Sequence, residues 1–160
     1  MEKSSVDISF SVENSRFNFR VMAFICYKDN MLLSSADGID FCNMPGGRVK
    51  MGESTLEAIK RELYEELDLV EINPKLIAVY ENFFTWKEKD VQELDFIYKI
   101  DVDEIQFKRL ENFCVKDSTN NERTHWVKKS QLKDVVCLPE IIYDVFDLKT
   151  DRIFHGIKKD

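Results

Sequence analysis

The chain is expected to fold as an α/β/α sandwich of the α+β class, a mixed β-sheet flanked by helices. Three observations lead there. Apolar runs of strand length, separated by turn signals, stand both before and after a central helix. That helix, over about 54–67, has an apolar stripe that needs a sheet to cover it. A second helical stretch near 139–148 supplies cover for the other face.

Taken in order, residues 1–18 are polar and serine-rich and read as a lead-in or an edge strand, and residues 19–160 as one domain. Residues 21–27 are a continuous apolar run, Lys28-Asp29-Asn30 a turn and residues 31–34 a second strand, together a hairpin. Residues 35–40 form a polar loop, and Pro45-Gly46-Gly47 is a strong turn signal. Ser54 with Glu57 makes a capping box, after which Leu56, Ile59, Leu63 and Leu67 recur at helical spacing. Asn73-Pro74 breaks the chain. Residues 76–81 read as a strand that 83–86 can extend, 87–90 as a charged turn and 94–102 as a strand. Residues 103–116 are ambiguous, 117–123 form a polar loop and 124–127 a short strand. Ser130 caps a helical turn through Leu132, and Pro139 opens a last helix whose Ile141, Ile142, Val145 and Phe146 face inward.

With 160 residues and 44% hydrophobic content, the chain has enough apolar material for one sizeable core. A net charge of -7 excludes a generic basic surface for nucleic acid. An acidic protein acting on an anionic phosphate needs a metal to mediate the contact. No apolar run reaches the ~20 residues of a membrane span, and the N-terminus has no apolar stretch of signal-peptide length. The four cysteines include no CxxC pair and read as reduced thiols, so a cytoplasmic location is expected.

The segment GRVKMGESTLEAIKRELYEELDL, residues 47–69, holds Glu53, Glu62, Glu65, Glu66 and Arg61. At about 100° per residue, Glu62, Glu65 and Glu66 share roughly a third of the helix circumference, at the edge of the buried stripe. Like charges at that spacing repel by a few tenths of a kcal/mol per exposed pair, roughly, and by more when buried. A bound divalent cation reverses the sign. Carboxylates are hard ligands that suit Mg²⁺ or Mn²⁺. Gly46-Gly47 would allow close approach of backbone to a ligand, with carbonyls free to join the coordination shell. The plain reading, a solvated acidic helix face, does not account for that preceding turn.

These residues resemble the box of the Nudix hydrolase superfamily: glycine (Gly47), glutamate (Glu53), then Arg61-Glu62, apolar Leu63, Glu65-Glu66 and apolar Leu69. Every defined position matches but one, Asp68 in place of glycine. That position follows the helix end, where left-handed backbone is usual, and aspartate tolerates it at a cost of roughly 1 kcal/mol. The similarity extends more loosely over about 20–148, including the first hairpin and the His125-Trp126-Val127 strand.

The resemblance implies metal-dependent hydrolysis of a pyrophosphate bond in a nucleoside diphosphate-linked or nucleoside triphosphate substrate, by attack of water at phosphorus. It implies Mg²⁺ (or Mn²⁺) on Glu62, Glu65, Glu66 and the Gly47 carbonyl. Glu53 is either a further ligand or the partner that orients Arg61. Glu122 and Glu93 are the candidate bases outside the box. Arg48, Phe83, Phe84 and Trp86 are the candidate substrate-binding residues, the aromatic ones by stacking on a base. Phe84 stands where ADP-ribose-cleaving members often have proline, and Trp86-Lys87 near where dinucleoside-polyphosphate members tend to have tyrosine, so neither subclass is supported. The expected partner is a small nucleotide, without nucleic acid or membrane; relatives are often homodimers. The alternative is a non-catalytic nucleotide-binding module with a regulatory role, which usually lacks box carboxylates that are all present here. An isomerase on this fold would use a cysteine near the metal, for which Cys42 is the candidate.

Overall fold

A computed structural model of the chain describes residues 6–159, so the first five residues of the expected lead-in lie outside it. Among the described residues, eight strands and two α-helices follow in the order β1 (Ser9–Val12), β2 (Ser15–Tyr27), β3 (Asn30–Ser35), β4 (Gly46–Arg48), α1 (Thr55–Leu67), β5 (Lys75–Trp86), β6 (Lys89–Asp101), α2 (Glu104–Arg109), β7 (Arg123–Lys128) and β8 (Phe154–Lys159). The sheet runs β7-β3-β2-β6-β5-β8, with β1 and β4 both added onto β2. It is mixed: β2 and β6 are parallel, β5 and β8 are parallel, and the other pairs are antiparallel. The lead-in is therefore partly a strand, and β2 starts at Ser15 rather than near Arg20.

Strand alternation sends each side chain to one of two cores. Val21, Ala23 and Ile25 of β2 join Ala58, Ile59, Leu63 and Leu67 of α1 on one face. Met22, Phe24 and Cys26 join Leu132, Ile141, Ile142 and Val145 on the other. The stripe of α1 is shifted from the expected one: Leu56 is exposed, and Ala58 takes the buried position. The last helix is also corrected. Glu140–Tyr143 and Val145–Asp147 are short 3-10 turns, not one α-helix. β-Branched Ile141, Ile142 and Val145 disfavour an α-helix, and no side chain caps either turn. Ile141, Ile142 and Val145 are nevertheless buried as expected, with Phe146 packed against them. Strand β8, which the sequence reading missed, lies parallel to β5. Among the described residues no helix is long and apolar enough to cross a membrane.

The Pro45-Gly46-Gly47 turn is replaced by strand β4, with Gly46 opposite Met22, Gly47 opposite Val21 and Arg48 opposite Arg20. Neither glycine has a positive φ. Gly46 is needed for space, since a Cβ there would strike the Val21 carbonyl, and a Cβ on Gly47 would displace the Glu62 carboxylate.

Candidate active site

Helix α1 begins with the anticipated capping box. The Glu57 amide donates to Ser54 Oγ at 3.1 Å and the Ser54 amide to Glu57 Oε2 at 2.8 Å. It ends at Asp68 with φ 53° and ψ 27°, the left-handed geometry that its place in the box demands. The Asp68 carboxylate meets Lys116 Nζ at 2.6 Å, and the Lys116 amide donates to the Glu66 carbonyl at 3.1 Å. Those two contacts moor the following loop to the end of α1 and bring Glu122 toward Glu66.

Arg61 organises the box. It clamps Glu53 through Nη2 at 2.7 Å and Nε at 3.0 Å, donates through Nη1 to Glu62 at 2.8 Å and Glu65 at 3.2 Å, and donates through Nη2 to the Arg48 carbonyl at 3.0 Å. Glu53 also accepts the Lys50 amide at 2.8 Å. Of the two roles left open for Glu53, the geometry is that of Arg61's orienting partner. Burial pulls the Glu53 carboxyl upward, but the hydrogen bonds from Arg61 and Lys50 outweigh it and hold it below its usual value.

Glu66 is in the opposite situation. Burial, then the charges of Glu62 and Glu122, push its carboxyl up to about 8, with Arg20 the opposing cation. Glu62 is also raised, by burial that outweighs its bond to Arg61. Glu122 is held by Ser34, whose Oγ lies 2.6 Å from Glu122 Oε1 and 2.6 Å from Asn43 Oδ1. Of the two base candidates, Glu122 therefore joins the box carboxylates. Glu93 instead lies on the sheet, accepting from Asn18 Nδ2 at 3.0 Å, with Arg20 Nη1 at 3.7 Å.

These groups suit a hard divalent cation. Glu62 and Glu66 are raised carboxyls, and the missing side chain of Gly47 is what leaves Glu62 its room. Among the described residues no three such groups already converge as a ligand set. Arg61 takes up Glu62 and Glu65, so a cation would have to draw those two from the guanidinium.

A cleft of about 620 Å³ opens on the sheet face opposite α1. Phe41, Phe84 and Trp86 give it an aromatic wall, and Arg48 and Asn43 line the part nearest the box. Phe84 and Trp86 are thus where a stacking role requires. Phe83 is not, because alternation along β5 turns it to the other face, where Lys159 Nζ lies 5.0 Å from its ring. The sequence reading missed Asn18, Arg20 and Asn82 in the cleft, and Asp95 beneath it. Polar residues at every second position of strands that are otherwise apolar (Asn18 and Arg20; Glu93 and Asp95) were the available signal.

The mixed sheet, the box helix and the adjoining cleft together make the fold of a family of hydrolases. The family model of the NUDIX domain matches residues 17–144, so the chain belongs to the Nudix family. It is a Nudix-type pyrophosphohydrolase, a class that hydrolyses pyrophosphate bonds of nucleoside diphosphate derivatives and generally uses divalent metal ions. The fold is similar to a mutator MutT protein from Bacillus halodurans (22% identity, 88% of each chain, TM-score 0.66). It is also similar to a MutT protein from Methanosarcina mazei Go1 (25% identity, 86% of this chain and 94% of that one, TM-score 0.55). An ADP-ribose pyrophosphatase from Streptococcus suis is similar in fold at 11% identity (88% of this chain and 98% of that one, TM-score 0.55). No curated protein matches the chain.

Proposed function

We propose that the chain hydrolyses the pyrophosphate bond of a nucleoside triphosphate or nucleoside diphosphate-linked substrate bound in this cleft, with Glu62, Glu65, Glu66 and the Gly47 carbonyl holding Mg²⁺ or Mn²⁺. The observation that carries the reading is the gathering of Glu62, Glu65 and Glu66 on helix α1 against the side-chain-free backbone of Gly47, where the charges of Glu62 and Glu122 crowd Glu66 and a bound cation would relieve them. The cation, when bound, neutralises phosphate charge and makes water more acidic.

The chain's own residues do the rest. Phe84 and Trp86 hold the nucleoside, and Arg48, lining the cleft beside the box, meets the phosphates. Arg61 keeps Glu53 and the Arg48 backbone in register, so the helix and β4 present one rigid surface. Glu122, oriented by Ser34, accepts the proton of the attacking water. Oxygen then bonds to phosphorus, and the bridging P–O bond breaks with its electrons on the departing phosphate.

Phosphate release from a panel of nucleotides with Mg²⁺ or Mn²⁺ tests this. Turnover of at least one nucleotide, lost on removing the cation, is expected. Tight binding of one nucleotide without cleavage of any would instead favour the regulatory module.

A further inference from the structure

The register of three neighbouring strands puts a row of polar side chains across the cleft floor. Glu93 of β6 is opposite Asn18 of β2 on one side and Asn82 of β5 on the other. All three are buried, at 5% (Asn18), 7% (Glu93) and 9% (Asn82) exposure. A sheet face that only packed a core would carry apolar side chains here, because a buried polar group without a partner costs about 1–3 kcal/mol.

Some of the row is satisfied internally. Asn18 Oδ1 accepts from Ser9 Oγ at 2.8 Å and Arg16 Nε at 3.2 Å, and its amide nitrogen donates to Glu93 Oε2 at 3.0 Å. Asn18 is thereby locked, and it fixes the Glu93 carboxylate. The side chain of Asn82 has no hydrogen-bond partner among the described residues, yet it is nine-tenths buried and lines the cleft. One step deeper, Asp95 is fully buried, and among the described residues neither of its oxygens has a hydrogen-bond partner; nor has Nε of Arg20, which stands opposite it. Burial, then the charge of Glu93, keeps the Asp95 carboxyl well above its usual range, while on the floor Glu93 already accepts from Asn18.

We propose that this row reads the nucleobase, and that Glu93 with Asn82 selects a base presenting two adjacent N–H donors beside a carbonyl, the pattern of guanine. The inference rests on the function proposed above. A carboxylate only accepts hydrogen bonds, and its two oxygens suit two neighbouring donors. The Asn82 amide is left to donate to the adjoining carbonyl. Adenine and cytosine place an acceptor next to their amine, which would face the carboxylate and be repelled. Uracil offers one N–H between two carbonyls. Phe84, Trp86 and Phe41, with Phe41 and Trp86 at 6.0 Å between ring centres, supply a wall for the flat face of any base. Selectivity therefore has to come from the polar floor.

The experiment compares kcat/KM with Mg²⁺ for guanosine, inosine, adenosine, cytidine and uridine nucleotides of one phosphate length, alongside equilibrium binding of the same set. Inosine differs from guanosine only in lacking the exocyclic amine, so that pair needs no mutation. Guanosine is expected to exceed inosine by about 10-fold or more, the loss of one hydrogen bond to a carboxylate, and the other bases by about 100-fold or more, since each sets an acceptor against the carboxylate or lacks a donor there. Glu93→Gln, which puts an N–H donor against the base, should erase the guanosine advantage mainly through KM. Equal turnover of all bases overturns the inference and leaves the hydrolase reading standing. Guanosine-selective binding without any cleavage keeps the inference and sinks the hydrolase reading. Neither binding nor cleavage sinks both.

Discussion

Glu66 combines burial, two like charges and one opposing cation, so its two protonation states differ more than those of the other box carboxylates. Replacing it with glutamine keeps the shape and deletes the charge. Hydrolysis in Mg²⁺ should fall by roughly 10²-fold or more. At pH 8 without divalent cation, the same variant should be more stable than the parent by about 1 kcal/mol, because a strained carboxylate has gone. A Glu66→Gln protein that turned over normally would remove the residue from the site. Arg61 is the counterpart on the cationic side. Arg61→Lys preserves charge but not the fork that spans Glu53, Glu62 and the Arg48 carbonyl, so the lysine should fail to restore activity and cost about 2–4 kcal/mol in denaturant unfolding. At this scale the box residues were legible because their chemistry is encoded in fixed spacing along one helix. The floor residues Asn18, Asn82 and Asp95 were not, because only the registers of β2, β5 and β6 bring them together.

The elements show where local signals suffice. Helix α1 is set by its capping box and left-handed end, both local, and both are found. Asp68 tests the end directly. Asp68→Ala should lose about 1 kcal/mol, since alanine lacks aspartate's tolerance for φ 53° and drops the contact to Lys116. Asp68→Gly should lose little or nothing, relief of backbone strain offsetting that exposed ion pair. A melting curve in which alanine matched glycine would show that the left-handed geometry costs nothing. Strand β4 was misread because Pro-Gly-Gly is a turn signal in isolation. Here, contact with Val21 and Glu62 selects the glycines for their lack of a side chain. The segment after Pro139 was misread for a related reason: its apolar spacing fits a helix, but burial on the sheet is achieved equally well by two 3-10 turns. Strand β8 carries exposed Phe154 and Ile157, so its pattern gave no sign of a buried face.

Across the whole molecule, acidic pairs and buried carboxyls set opposite pH trends. Glu53 is held below its usual value, so the stability it contributes is present above about pH 4.5 and is lost as pH falls through its lowered value. Glu66 is raised from 4.5 to about 8, so its contribution is present below pH 4.5 and is lost as pH rises from 4.5 toward 8. Glu62 and Asp95 are raised too and act in the same direction as Glu66. Metal-free protein should therefore be most stable on the acid side of neutrality and should weaken steadily up to pH 8. Cation binding reverses that loss, because a ligand that binds only the folded carboxylates adds stability by mass action and displaces their protons. Mg²⁺ should raise the melting temperature more at pH 8 than at pH 5. Calorimetry at pH 7 in buffers of different ionisation enthalpy should show proton release on binding, smaller in Glu66→Gln. A melting-temperature gain that was the same at both pH values, with no proton released, would place the cation away from Glu66.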